Sequence, residues 1–208
     1  MKIDAVIFDF GGVFLDIDYK KTSKAFVDLG MVNFDTYYHQ SFTNQLFADF
    51  ETGKISGDEW LNGLREESGC QLTDQQMIDA WNAMLGAFRP SSIQFLQSLK
   101  NKMPVFLLSN TNVIHHTAFH DIHEKEFGNR DFDSGFNKAY YSHIIGFKKP
   151  DAAAYEIILH ENNLQSATTL FIDDTEKNIV GAKAIGLQTL FLQHNRMVEV
   201  ALKEMGIE

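Results

Sequence analysis

Apolar runs of strand-forming composition stop, one after another, beside residues that can handle charge. Asp9 lies within AVIFDFGGV, Ser109 closes VFLLSN, Lys149 stands in FKKP, and Asp173 with Asp174 closes TLFIDD. A near-continuous apolar run is what a strand buried on both faces requires, and helical spacing between such runs supplies the two covering layers. At the carboxyl edge of a parallel sheet loops gather and ligands bind. A carboxylate, a hydroxyl, a lysine and an acid pair would therefore converge there, a set able to handle a phosphate and a divalent cation.

Residues 3–10 read as the first strand, after which Gly11 and Gly12 free the backbone for a tight turn. Over residues 16–89 the spacing turns helical and no strand is expected. This predicts an inserted helical-bundle domain within an α/β core built from residues 1–15 and 90–208. Helices are expected over 19–29 and 35–50, and two more open on the capping boxes Ser56 with Glu59 and Thr73 with Gln76. The last of these would carry Met77, Ile78, Trp81, Met84, Leu85 and Phe88, a stripe that reads as bundle core. After Pro90 helices and strands alternate: strands at 105–108, 139–141, 170–172 and 189–192, helices ending at 100 and covering 113–127, 152–162, 176–185 and the C-terminus. Short connections imply a doubly wound, mostly parallel, Rossmann-like sheet.

Composition narrows the function. With 208 residues, 44% of them hydrophobic, the chain can bury a sizeable core. Its formal net charge of −10 argues against nucleic acid or an anionic membrane as partner, so a phosphate substrate must be met by local positive charge. Cys70 is the single cysteine, which excludes an internal disulfide and fits a reducing compartment. The start MKIDAVIFDF lacks a signal-peptide pattern, and no apolar run is long enough to span a bilayer. The expectation is a cytoplasmic protein, monomer or homodimer.

Asp9 at a strand end can attack phosphorus and divide one displacement into two, although an aspartate there can also serve as a turn former or cap. Ser109, with Asn110 and Thr111 behind it, offers a hydroxyl and backbone N–H groups at a helix N-terminus, or a simple cap. Lys149 is held extended by Pro150 and can neutralise a phosphate; Lys148 should point away as its solvated neighbour. Two adjacent acids repel unless something offsets their charge. Mg²⁺ is the natural partner, with Asp174 as direct ligand and Asp173 as a second or outer one, or Asp174 caps the next helix.

Taken together, FDFGGV, LLSNTN, KKP with Tyr155 downstream, and FIDDTEKNIVGAKAIG resemble the four motifs of the haloacid dehalogenase-like hydrolase superfamily, and the helical insertion resembles its cap domain. DFGGVFLDID, LSNTN and TGKIS are most similar to the branch containing alpha-D-glucose-1-phosphatase-type sugar phosphatases. The resemblance implies an Mg²⁺-dependent phosphatase of a small phosphorylated metabolite, such as a hexose 1-phosphate. Asp9 would be nucleophile and metal ligand, Gly11 would lend a backbone carbonyl to the metal, Asp174 would complete the set, and Ser109, Asn110 and Lys149 would hold the phosphate. The loop over residues 51–56 would face the site and choose the substrate.

One position departs from that pattern. Where most phosphatases of the superfamily carry a second aspartate as general acid, this chain has Gly11, which cannot transfer a proton. General acid catalysis is typically worth ~10² to 10⁴ in rate. Asp16, Asp18, His115 or bound water are candidate proton donors, or the leaving group needs little help. The same glycine opens two other readings, a 2-haloacid dehalogenase-type hydrolase and a non-catalytic phosphate-ligand binder. His116, His120 and His123 share one helix face at i, i+4 and i+7, which reads as a polar face rather than a zinc site.

Overall fold

The computed structural model describes residues 2–39, 42–193 and 196–208. In chain order, β1 (Ala5–Phe8) runs into β2 (Leu15–Ile17), α1 (Tyr19–Asp28), β3 (Tyr38–His39), β4 (Phe42–Thr43), α2 (Gln45–Glu51), α3 (Gly57–Ser68), α4 (Asp74–Asn82) and β5 (Leu85–Phe88). There follow α5 (Pro90–Lys100), β6 (Val105–Ser109), α6 (Val113–Phe127), β7 (Lys138–Tyr141), α7 (Ser142–Ile145), α8 (Ala152–Glu161), β8 (Thr169–Asp173), α9 (Glu176–Ala184), β9 (Gln188–Phe191) and α10 (Val198–Glu204).

Five strands form one sheet in the order β7-β6-β1-β8-β9, every pair parallel. The two-residue period of a strand divides their side chains between two cores. Val6, Phe8, Leu107 and Ile172 pack with Leu96 and Leu99 of α5, Phe119 of α6 and Leu202 of α10. Ala5, Ile7, Leu108 and Phe171 pack on the other face with Tyr155 and Ile158 of α8 and Ile179 of α9. This is the expected α/β architecture with helices on both faces.

The helices between β2 and β5 enclose a separate apolar cluster in which Phe26, Phe47, Trp60, Met77 and Trp81 are all buried. Both capping boxes are made: Ser56 and Thr73 accept from the backbone N–H groups of Glu59 and Gln76, whose side chains reach back. Two expectations fail here. α4 ends at Asn82, and Leu85–Phe88 leaves the helical pattern to pair antiparallel with β2. The two chain passages joining the helices to the sheet thus satisfy each other's backbone groups. The helix expected over 35–50 is instead a 3-10 turn (Phe34–Thr36), the β3–β4 hairpin and then α2. Asn44, whose side chain accepts from Phe47 N–H, starts α2 late, and the hairpin lays Tyr38 edge-on to Trp81 at 4.7 Å. No helix among the described residues is long and apolar enough to cross a membrane.

Candidate active site

Because β6, β1 and β8 are adjacent and parallel, Ser109, Asp9 and Asp173 stand at neighbouring carboxyl ends. Lys149 arrives from the loop between α7 and α8. Its ammonium is buried, 2% exposed as a residue, and donates to Asp9 Oδ1 at 2.6 Å and to Asp173 Oδ2 at 2.8 Å. The Asn110 side chain grips the lysine's backbone from both sides, accepting from Lys149 N–H and donating to Lys149 C=O, each at 2.9 Å. Asn110 therefore positions Lys149 with its side chain, leaving only its main chain for a ligand.

Asp173 is fully buried and accepts from Lys149, Thr175 N–H and Asn178 Nδ2, so both of its oxygens are engaged. Asp174 is less enclosed, with one bond from the Thr175 hydroxyl at 3.2 Å. The backbone at Gly12 lies against it: φ is +73°, and a Cβ there would sit 2.1 Å from Asp174 Oδ2. Carboxylate oxygens of Asp9, Asp173 and Asp174 come within 4.8 Å of one another.

Three acids thus surround one ammonium. Burial, then the neighbouring Asp173, pushes the Asp9 carboxyl up to about 8 against the pull of Lys149. Asp174 is raised by burial and Asp173. Burial works against a charged Lys149, yet Asp173 and Asp9 outweigh it and hold the ammonium above its usual range. A raised acid beside a raised base means that the cluster carries more negative charge than Lys149 balances. A proton or a cation must make up the difference.

The loop after β6 is pinned rather than open. Ser142 Oγ accepts from Thr111 N–H and donates to Thr111 C=O, both at 2.9 Å, so the expected free N–H of Thr111 is already used. Ser109, buried at the end of β6, lines the cavity above Asp9. That cavity has a volume of about 710 Å³. Tyr19, Lys20, Tyr38, Thr43 and Glu51 line its far wall from the helical side.

The candidate proton donors Asp16, Asp18 and His115 all line the cavity, and each already has a partner. Asp16 pairs with Arg89 at 2.7 Å, and Arg89 also donates to Gly12 C=O, tying the β2–β5 passages to the glycine turn. Asp18 caps α1, accepting from Lys20 N–H. His115 is buried and stacked on Trp81 at 4.5 Å; its Nε2–H donates to Trp81 C=O while Nδ1 accepts from Asn112. Burial pushes its pKa down to about 4, so it stays neutral where a proton donor would need charge. At Gly11, a Cβ would lie 2.9 Å from Ile17 Cγ1, so Ile17 of β2 occupies the room a side chain would take.

Three further expectations are corrected. Lys148 is not solvated: it donates to Glu51 Oε2 at 2.9 Å across the cavity, because the helical layer covers that side. Of residues 51–56 only Glu51, the last of α2, lines the cavity; at Gly53 (φ +67°) the loop presses on the His143 carbonyl, where a Cβ would lie 2.0 Å away. His120 and His123 are buried, each Nδ1–H donating to a carbonyl of the segment folded back over α6, Arg130 and Asn129 respectively. The roles of Arg89 and the Asn110 side chain have no signal in the sequence, since their partners are remote along the chain; that of Asn178, five residues after Asp173, depends on the turn between β8 and α9.

The neutral state of His115 has a measurable consequence. Its folded pKa lies below the unfolded value near 6.5. The unfolded chain therefore binds the proton first as pH falls, and stability is lost from about pH 6.5 down to about pH 4. The expected loss from this group is roughly 2 kcal/mol between pH 7 and pH 5. Urea midpoints at the two pH values should show it, with a shallower fall in His115→Gln; equal slopes would place the titration elsewhere.

Comparison with known proteins agrees with this geometry. The family model for a haloacid dehalogenase-like hydrolase matches residues 3–186. D-ribitol-5-phosphate phosphatase of Bacteroides thetaiotaomicron is 30% identical over 189 residues, 90% of each chain. A sesquiterpene phosphatase of Aspergillus oryzae is 27% identical over 205 residues, 97% of this chain and 95% of its own. The crystal structure of a haloacid dehalogenase family enzyme from Bacteroides thetaiotaomicron, in complex with magnesium and inorganic phosphate, superposes with a TM-score of 0.89 at 26% identity, covering 96% of this chain and 98% of the other. With the family model spanning both the helical layer and the strand ends that carry the acids and the lysine, the chain belongs to the haloacid dehalogenase-like hydrolase family.

Proposed function

We propose that the protein is an Mg²⁺-dependent phosphomonoesterase that hydrolyses a small polyhydroxylated phosphate ester through an aspartyl-phosphate on Asp9. The observation that carries this is the buried ammonium of Lys149 bridging Asp9 and Asp173 beside a third carboxylate, Asp174. Such a site is poised for one dianionic ligand and one hard cation.

Asp9 attacks phosphorus as the ester P–O bond breaks, forming the acyl phosphate. Water then attacks the same phosphorus, the bond to Asp9 breaks, and the carboxylate returns. Lys149 offsets negative charge at the phosphoryl oxygens, while the Ser109 hydroxyl and the Asn110 backbone hold them. Asp173 fixes the direction of the lysine. The donor set fits Mg²⁺: hard carboxylate oxygens in excess of the local positive charge, with Asp9, Asp174 and the Gly11 carbonyl as ligands and Asp173 in support. When bound, Mg²⁺ supplies charge neutralisation at the phosphoryl group.

Residues 16–89 act as a cap over the core formed by 1–15 and 90–208. The cavity wall they supply sets the hydroxyl, ammonium and carboxylate groups of Tyr19, Lys20, Thr43 and Glu51 beside the apolar Ile17, Met84 and Leu85, and its polar groups suit the hydroxyls of a sugar or sugar-alcohol phosphate, a hexose 1-phosphate among them. With Ile17 filling the space beside Gly11, the leaving group departs with its proton taken from water. The acid cluster disfavours halide displacement, which attacks carbon and has no use for a cation.

Gly12→Ala would drive a methyl into Asp174 and is expected to raise the Mg²⁺ concentration for half-maximal rate by roughly tenfold or more. An unchanged Mg²⁺ requirement would remove Asp174 from the ligand set. For the function itself, phosphate release should be measured over a panel of sugar, polyol and isoprenoid phosphates, with Mg²⁺, with EDTA and with Asp9→Asn. Metal-dependent release lost in the variant supports the reading; halide release from a 2-haloacid without metal, or release indifferent to EDTA, refutes it.

A further inference from the structure

Outside the cavity above Asp9, on the N-terminal half of α6, four side chains from three separate segments converge. His116 and His120 lie one turn apart on α6; Asp133 opens the 3-10 turn Asp133–Gly135; His143 lies in α7. Coordinating atoms of His116, His120 and Asp133 all lie within 4.8 Å of one another. The rings of His116 and His120 are 4.7 Å apart, and that of His143 is 5.3 Å from His116.

The hydrogen bonds around this group point its free atoms inward. His120 Nδ1–H donates to Arg130 C=O at 2.8 Å, which directs Nε2 at Asp133 Oδ1, 3.8 Å away and beyond hydrogen-bond distance. Asp133 is itself held by the Tyr141 hydroxyl. The His116 ring makes no hydrogen bond among the described residues, and His143 Nδ1 is buried without a partner. Arg130 is engaged by Asp121 and Glu124. An imidazole that donates one nitrogen to a backbone carbonyl while presenting the other is the arrangement that orients metal-binding histidines.

We propose that His116, His120 and Asp133, with His143 as fourth donor, bind a divalent cation of the Zn²⁺ type. Two or three imidazoles with one carboxylate suit a borderline ion such as Zn²⁺ or Co²⁺ and not Mg²⁺, which requires a shell of oxygens. Tetrahedral Zn²⁺ holds its ligand atoms about 3.3 Å apart. His116, His120 and Asp133 therefore close inward by about 1.5 Å at most, while His143, whose ring lies 5.3 Å from that of His116, has to turn in to complete the set. The ion would clip α6 to the Asp133 turn and to α7, the same short helix on which the loop at Gly53 rests. Its role is structural, tying together parts of the core that are remote along the chain.

The test uses the full-length, metal-stripped protein in excess Mg²⁺, which fills the acid cluster. Zn²⁺ is titrated by calorimetry and Co²⁺ by its visible absorption. Wild type and Asp9→Asn should each take up one equivalent of Zn²⁺, give a Co²⁺ spectrum of low-coordinate nitrogen and oxygen ligation, and melt at higher temperature with Zn²⁺. His116→Asn removes a half-buried ring with no hydrogen bond, so the fold survives; Asp133→Asn is the second variant. Each should weaken Zn²⁺ at least about tenfold and abolish the thermal gain, while Mg²⁺-dependent phosphate release persists. Absence of uptake in excess Mg²⁺ would overturn the proposal. Uptake unchanged in both variants, or lost in Asp9→Asn, would overturn it by assigning the ion elsewhere.

Discussion

Replacing Asp9 by asparagine is expected to lower phosphate release by about 10⁴-fold or more while leaving the protein at least as stable as before. The rate falls because an amide neither attacks phosphorus nor accepts the phosphoryl group, and removal of a nucleophile takes the covalent route with it. Stability moves the other way because two buried carboxylates share one ammonium with the half-buried Asp174 beside them, and burial together with Asp173 already disfavours the charged form of Asp9. Asparagine is nearly isosteric and keeps an oxygen for Lys149 and for Phe10 N–H, which both bond Asp9 Oδ1. Lys149 retains Asp173. Urea unfolding in EDTA checks the second half: a midpoint well below that of wild type would mean that the Asp9 carboxylate supports the fold.

Lys149→Met is expected to fail in both respects, losing about 10² to 10³ in rate and about 3 kcal/mol in stability. Methionine approximates the length of the lysine stem, so packing is largely kept and the loss is one of charge. Removing one partner of a buried pair strands the other, typically at 3 to 5 kcal/mol. The lower end applies here for two reasons. Asp9 can take up a proton, and Asp173 keeps its bonds from Thr175 N–H and Asn178 Nδ2. Mg²⁺, by adding positive charge to the same acids, should recover part of the stability but not the rate. Wild-type stability in the variant, measured in EDTA, would contradict the ion pairing on which the site is built.

The strand ends at which these residues stand were legible in the sequence. The strands that carry Asp9, Ser109 and Asp173 are apolar on both faces, a pattern that needs no partner to be recognised, and their order puts the polar residues at one edge. The 113–127 helix and both capping boxes rest on local signals and lie where the spacing places them. What escaped depends on residues distant along the chain. Leu85–Phe88 has a composition compatible with either helix or strand, and only the passage of β2 beside it decides. Lys148 meets Glu51, Asp16 meets Arg89, and Asn110 spends its side chain on the Lys149 backbone; none of these pairings has a spacing to betray it. His115 lies near the phosphate loop in sequence, yet its ring turns into the apolar layer against Trp81, and His120 and His123 are covered by a segment that folds back over them.

The stereochemical course at phosphorus tests the covalent role of Asp9 most directly. An isotopically chiral phosphate monoester, turned over in the presence of Mg²⁺, reports whether one or two in-line displacements occur. Two displacements, first by Asp9 and then by water, predict net retention of configuration. Inversion would mean that water attacks the ester itself, and Asp9 would then be a metal ligand or base but not the nucleophile.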